Sequence, residues 1–306
     1  FLQLNGFRTL RDINAANTRY IQVTNNVVKQ IKAKDVRRFV REWSEERCLN
    51  ENVRNLIVNS MKFSETSLEN LKEVELDFSN FTHNTQLFFF PNNNVEVTPK
   101  EIIVHQRGDT AFNHYVWEEN VLKHNFKPLP DMFKLTCFDK ENNLYAVDIL
   151  DCKSSPIFGY VINTSRLHWR KEMEERFEDN PEEAKAYAEK HRFCINGEGL
   201  TEDEIREQKQ NLANKIFAIG YMLHRFKSPS RAWAPQAMDN KIGENGECNG
   251  RSGKSFLFKT LSLFMKSVKL SGRNPKLMDN PHVFDQVNVH TDFVLVDDCA
   301  QYLSMG

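Results

Sequence analysis

The chain has no CxxC pair and no grouping of cysteine with histidine; its six cysteines, Cys48, Cys137, Cys152, Cys194, Cys248 and Cys299, are scattered. That spacing argues against a structural zinc module and a disulfide framework, and a reducing, cytoplasmic compartment is the simplest setting. No apolar run approaches the ~20 residues that span a bilayer, and the longest aromatic cluster, Leu87-Phe88-Phe89-Phe90, is strand-sized. The opening Phe1-Leu2-Gln3-Leu4-Asn5 lacks the basic stretch of a signal peptide. An excess of one charge is also missing. With 41 basic against 42 acidic residues, no global field draws the chain onto nucleic acid or membrane, so a nucleic-acid contact has to be local. Internal repeats and low-complexity tracts are absent. The chain opens on Phe1 and ends at Gly306, soon after Asp298, which suggests a piece of a longer polypeptide.

What is present is enough for real cores: 306 residues, 40% of them hydrophobic and 11% aromatic, suffice for one large domain or two ordinary ones. Residues 7–31 alternate polar and apolar positions around Asn25-Asn26, the pattern of a strand pair. From Lys34 to Arg47 the period changes: Val36, Phe39, Val40 and Trp43 form one stripe of an amphipathic helix. Further helices are expected over Glu51–Met61 and Ser67–Val74. Residues 85–104 read as strands, with Pro91-Asn92-Asn93-Asn94 as a turn. Three β-like runs follow, Met132–Phe138, Leu144–Ile149 and Ile157–Ile162. Long helices are expected over Arg166–Phe177, Glu182–His191 and Glu202–Phe226, and Ser228-Pro229-Ser230 breaks the chain after them.

The chemistry concentrates near the end. Ala232, Ala234, Ala237 and Met238 lead toward Lys241-Ile242 as a possible strand, and a Gly- and Asn-rich loop follows, ending in Gly253-Lys254-Ser255. Phe256, Leu257, Leu261, Phe264 and Val268 then fit a helix stopped by Ser271-Gly272. Strand, loop and helix in that order are what a phosphate site requires: the nucleotide-binding residues expected for a nucleoside triphosphate such as ATP are Asn249, Gly250, Arg251, Ser252, Gly253, Lys254, Ser255 and Phe256, with the amides of Gly250 to Gly253 cradling its oxygens. Lys254 spans its outer phosphates, and Ser255 ligates Mg²⁺. A strict motif has glycine at position 248; here Cys248 stands there, and the glycines are shifted to Gly246 and Gly250. Phe293-Val294-Leu295-Val296 reads as a buried strand that delivers Asp297 and Asp298 to the ligand side of a parallel sheet. Asp297 is expected to bind Mg²⁺ through water, and Asp298 is placed to polarise an attacking water as general base. The interval before Thr291 leaves room for an additional strand such as Lys276-Leu277-Met278.

With these residues in view the chain resembles the superfamily 3 helicases, in particular the primase-helicases of phages and mobile elements, of a poxvirus primase-helicase-like type. The resemblance rests on Asp239-Asn240-Lys241 through Asn249-Gly250-Arg251-Ser252-Gly253-Lys254-Ser255, and on His282-Val283-Phe284-Asp285-Gln286-Val287 leading to Val294-Leu295-Val296-Asp297-Asp298. It covers roughly the last quarter of the chain, and Gly253, Lys254, Ser255, Asp297 and Asp298 are the positions that map onto it. It implies an α/β fold: a mixed α+β N-terminal region followed by the start of a P-loop additional-strand (AAA+-like) ATPase domain, cut short at its C-terminal end. The corresponding division is a mixed β/α domain at 1–110, a β then helical region at 111–228, and the front of the motor at 229–306. The resemblance further implies hydrolysis of ATP with Mg²⁺, translocation on single-stranded DNA during replication, self-assembly into a ring such as a hexamer, and a bacterial or phage-infected cytoplasm with no membrane partner. Its sensor asparagine, DNA-contacting hairpin and arginine finger belong after Gly306. A P-loop motor acting on protein, or a replication-initiation module that binds nucleotide without hydrolysis, uses the same two motifs.

Other prominent residues have plain readings. His105, His114, His124, His282 and His290 lack metal spacing. The stripe containing Phe39 and Trp43, and the cluster Phe88-Phe89-Phe90, fit core packing better than base stacking. Arg37, Arg38 and Arg41 are diluted by Glu42, Glu45 and Glu46, and the alternating charges from Arg170 to Glu189 suit a solvated helix face.

Overall fold

The computed structural model describes residues 1–11, 19–237, 254–273, 280–288 and 290–297. The protein is mixed α and β with several small sheets, divided into two compact units, Phe1–Phe126 and Lys127–Gly306.

The first unit contains, in chain order, β1 (Phe7–Leu10), β2 (Arg19–Thr24), β3 (Val27–Gln30), α1 (Ala33–Glu46), α2 (Glu51–Val58), α3 (Glu65–Leu68), β4 (Glu73–Val74), β5 (Gln86–Phe89), β6 (Asn93–Val97), β7 (Ile102–Gln106) and β8 (Val116–Trp117). Five strands form one sheet in the order β4-β1-β2-β3-β8. The central pairs are antiparallel and both outer strands run parallel to their neighbours. Asn25 and Asn26 make the β2–β3 turn at φ of 50° and 69°, the left-handed pair that a two-residue hairpin needs and that asparagine tolerates. Gly6 enters the sheet at φ 81°, where a Cβ would lie 2.1 Å from the Val23 carbonyl oxygen, so no other residue fits. The expected amphipathic stripe lays α1 on this sheet: Val36 and Val40 are buried with Phe7, Ile31 and Leu68, and the Phe39 ring meets Phe7 edge-on at 5.0 Å. The helix expected over Ser67–Val74 is instead the single turn α3 followed by the parallel edge strand β4. Strands β5, β6 and β7 form a separate antiparallel meander whose Leu87 and Phe89 are buried with Phe112 and Val116.

The second unit contains β9 (Phe133–Asp139), β10 (Leu144–Ile149), α4 (Pro156–Asn163), α5 (Pro181–Lys190), α6 (Glu202–Leu223), α7 (Lys254–Leu261), β11 (Ser267–Ser271) and β12 (Phe293–Asp297), with a π-helical turn at Arg170–Glu174. Strands β9 and β10 are an antiparallel hairpin, and β11 and β12 are a parallel pair. Val147 of β10, Phe158, Val161 and Ile162 of α4, Ile195, and Leu212 and Ala213 of α6 form the core, with Leu257 of α7 packed against it. Helix α6 begins with a reciprocal cap: Thr201 Oγ1 accepts from Glu204 N at 3.3 Å, while Glu204 Oε2 accepts from Thr201 N at 2.7 Å. Beneath α5 and α6 lies a buried polar cluster. Arg166 pairs with Glu172, Tyr187 donates to the same Glu172 oxygen at 2.9 Å, and Gln208 bridges His168 N and the Ile195 carbonyl.

Five sequence expectations are corrected in this unit. The long helix expected over Arg166–Phe177 is instead the π-helical turn at Arg170–Glu174 with turns on either side. Ile157–Ile162 is helix, because Ser155 Oγ accepts from Phe158 N at 3.2 Å and Pro156 occupies the first helical position, a start signal that outweighs a short apolar run. The helix after Gly253 ends at Leu261, since Ser267-Val268-Lys269-Leu270-Ser271 alternates with period two and becomes a strand. Residues 232–237 form no strand, and Met238 and Lys241-Ile242 of the same expected strand lie outside the described residues. Phe293–Val296 is a strand but only half-buried. Lys276-Leu277-Met278 lies outside the described residues, so the strand found between the helix and Asp297 is β11.

Candidate functional site

Two short elements converge on one carboxylate. Within the described residues helix α7 runs from Lys254 to Leu261. Apolar contacts anchor the helix: the Phe256 ring sits edge-on to Tyr160 of α4 at 4.9 Å and 68°, and Leu257 reaches the core. Strand β12 is held in register with β11, with Val294 opposite Val268 and Asp297 opposite Ser271, and Gly272 N closes the pair by donating to the Asp297 carbonyl at 2.7 Å. Because the strands are parallel, Asp297 lies opposite Ser271, the last residue of β11, at the carboxyl edge of the pair.

Across this edge Ser255 Oγ donates to Asp297 Oδ1 at 2.6 Å, joining residues 42 positions apart. The other oxygen, Oδ2, is 2.7 Å from Lys269 Nζ on β11. The Asp297 side chain is 14% exposed. Its carboxyl is held below the ordinary carboxylate range, first by the hydrogen bond from Lys269, then by that from Ser255, with desolvation opposing both. It is therefore an anion at neutral pH. A serine hydroxyl and a carboxylate oxygen in contact are hard donors, the type that Mg²⁺ takes, and they fit the metal position expected between Ser255 and Asp297. Among the described residues no group of three or more His, Cys, Asp or Glu side chains forms a metal cluster.

The opposite end of β12 is fixed by a second carboxylate. Asp292 takes Arg225 in a forked pair, Nε to Oδ1 at 2.8 Å and Nη2 to Oδ2 at 3.0 Å, and Oδ2 also accepts from Lys266 N at 2.7 Å. The strand carrying Asp297 is thus tied to the chain leaving α6 and to the start of β11.

Of the residues singled out from the sequence, Ser255 and Asp297 are brought together. Phe256 supplies its main chain to the helix start while its ring packs on Tyr160. Lys254 opens α7, but its side chain, together with Asn249, Gly250, Arg251, Ser252, Gly253 and Asp298, lies outside the described residues. Sequence reasoning missed Lys269 and Asp292. Assigning 267–271 to a helix hid the register that puts Lys269 diagonally across from Asp297, and an isolated aspartate immediately before a strand carries no signal of its own. No family of known proteins has a pattern that this chain matches, and no curated protein or solved structure matches it either.

Proposed function

We propose that this chain carries the front part of a nucleoside-triphosphatase motor: an ATP- and Mg²⁺-dependent DNA helicase of the primase-helicase type that translocates on single-stranded DNA during replication and works as a ring of its own copies. The observation that carries this reading is the 2.6 Å bond from Ser255 to Asp297, because the Gly-Lys-Ser and Asp-Asp segments have a shared chemistry only if their donors meet. The parallel pairing of β11 with β12 and the position of Asp297 at a strand end support it, since ligands of parallel sheets bind beyond the carboxyl ends of the strands.

In this reading the amides that open α7 hydrogen-bond phosphate oxygens, and the helix dipole favours their negative charge. Lys254, the first residue of that helix, contributes an ammonium to the outer phosphates. Ser255 and Asp297 are the residues that hold the metal, whose chemistry when bound is to neutralise the charge developing on the transferred phosphoryl group. Asp298 takes the proton of the attacking water.

Titration of the chain with a fluorescent ATP analogue and Mg²⁺ tests the site. Lys254→Ala and Ser255→Ala are each expected to weaken binding at least about tenfold, the loss of roughly one charge-assisted contact. Unchanged binding in both would sink the assignment. Turnover by the longer protein that rises with single-stranded DNA separates a DNA motor from one acting on protein.

A further inference from the structure

Both oxygens of Asp297 are occupied, and one partner is a cation. Lys269 and Ser271 lie on one face of β11; their register partners Leu295 and Asp297 lie on the same face of β12. The lysine side chain runs diagonally from position 269 to position 297, a separation of about 7–8 Å between Cα atoms that a long side chain spans. Its ammonium ends 2.7 Å from Asp297 Oδ2, and the lysine side chain is 54% exposed against 14% for the aspartate. Lys269 therefore has room to swing into solvent, whereas Asp297 is fixed by Ser255 and by its strand. Lys259 of α7 adds a weaker, longer-range positive contribution at the same carboxylate.

We propose that Lys269 is a built-in counter-ion that competes with divalent cations for Asp297, so that free metal is kept out and the metal enters as its complex with a nucleoside triphosphate. The inference rests on the reading of Ser255 and Asp297 as metal ligands. A bare dication approaching Oδ2 meets an ammonium already bound there, and in a partly desolvated site two like charges a few ångströms apart repel strongly. A triphosphate brings negative charge with the metal and offsets that repulsion, leaving Lys269 free to turn outward. The pairing also answers a problem of the empty state: without a cation, a largely buried carboxylate at a strand end would be uncompensated.

Mn²⁺, followed by electron paramagnetic resonance, is the probe, used alone and as Mn·ATP on the full chain. Lys269→Met is expected to tighten binding of free Mn²⁺ by about tenfold while changing Mn·ATP affinity by less than about threefold, whereas Lys269→Arg, which keeps the cation, stays near the parent in both. Lys269→Gln serves as a second neutral variant should the methionine disturb folding, and Asp297→Asn in the Lys269→Met background is expected to abolish the gain. Unchanged or weaker binding of free Mn²⁺ in both neutral variants, with Mn·ATP still bound, overturns the counter-ion role alone. Absence of Mn·ATP binding in the parent overturns the metal-site reading and the counter-ion role with it.

Discussion

Glu172 shows how much one buried side chain organises. Its side chain is fully enclosed; Arg166, 3% exposed, pairs with Oε1, and the Tyr187 hydroxyl donates to the same atom. The guanidinium also stacks on Trp169 at 4.2 Å, and the Tyr187 hydroxyl accepts in turn from Glu198 N at 3.0 Å. Gly197 closes the pocket, because a Cβ there would sit 2.4 Å from the Glu172 carboxyl carbon. Breaking a buried pair from one side leaves the other charge uncompensated, so Glu172→Gln is expected to destabilise the second unit by about 3–5 kcal/mol. Tyr187→Phe, which leaves both charges in place, is expected to cost about 1 kcal/mol. Urea denaturation of the two variants measures both, and equal costs would show that the ion pair is not what holds this cluster.

The start of α6 allows a prediction from pH. Glu204 is lowered from its ordinary value of 4.5 to about 2, chiefly by the hydrogen bond from Lys171 Nζ at 2.7 Å and then by the Thr201 backbone N–H of the cap. A carboxyl with a depressed folded-state pKa contributes stability that is fully present above its unfolded value and is lost as pH falls toward the folded one. The contribution of Glu204 is therefore expected to disappear between pH 4.5 and about 2. In thermal melts Glu204→Gln is expected to flatten the decline across that window and to match the parent at its acid end. A decline equally steep in both proteins would place the acid sensitivity elsewhere.

Elements with strong local signals were legible in the sequence. The 3.6-residue stripe of α1, the Asn-Asn turn of the β2–β3 hairpin and the capped, 22-residue α6 follow from rules that act within a few residues. Short apolar runs were not. Six residues at Ile157–Ile162 satisfy helix and strand alike, and what decided between them was Ser155-Pro156 just before the run. The stretch from Phe256 to Val268 carries a plausible single stripe, yet Leu261 is buried at the end of the helix and Met265 in the turn after it, while Val268 belongs to a sheet whose second strand comes more than 20 residues later. Of the candidate site, one contact was legible, Ser255 with Asp297. Lys269 was not, because a diagonal neighbour in a parallel pair depends on register, and register is fixed by tertiary partners.

For the molecule as a whole, each unit has buried clusters of its own: those around Val36, Phe89 and Ile21 in the first, and that around Leu212 in the second. Among the described residues no helix is long and apolar enough to cross a membrane. Asn26 gives the first unit an order of assembly. Besides forming the turn, its side-chain amide donates to the carbonyls of Phe112 at 2.8 Å and His114 at 3.3 Å, and its own carbonyl accepts from Val116 N at 3.0 Å. A hairpin closes in about 1–10 μs, whereas seating a segment that lies more than 80 residues downstream has to wait for the intervening chain. On these timescales the turn is expected to be a latch set early and engaged late. Asn26→Gly, which keeps a favoured turn but removes the amide, is expected to leave the refolding rate nearly unchanged and to speed unfolding about tenfold for each ~1.4 kcal/mol lost, as stopped-flow kinetics would record. A slowed refolding limb would instead mean that the far segment docks at the rate-limiting step, and that the hairpin is the nucleus on which the sheet is built.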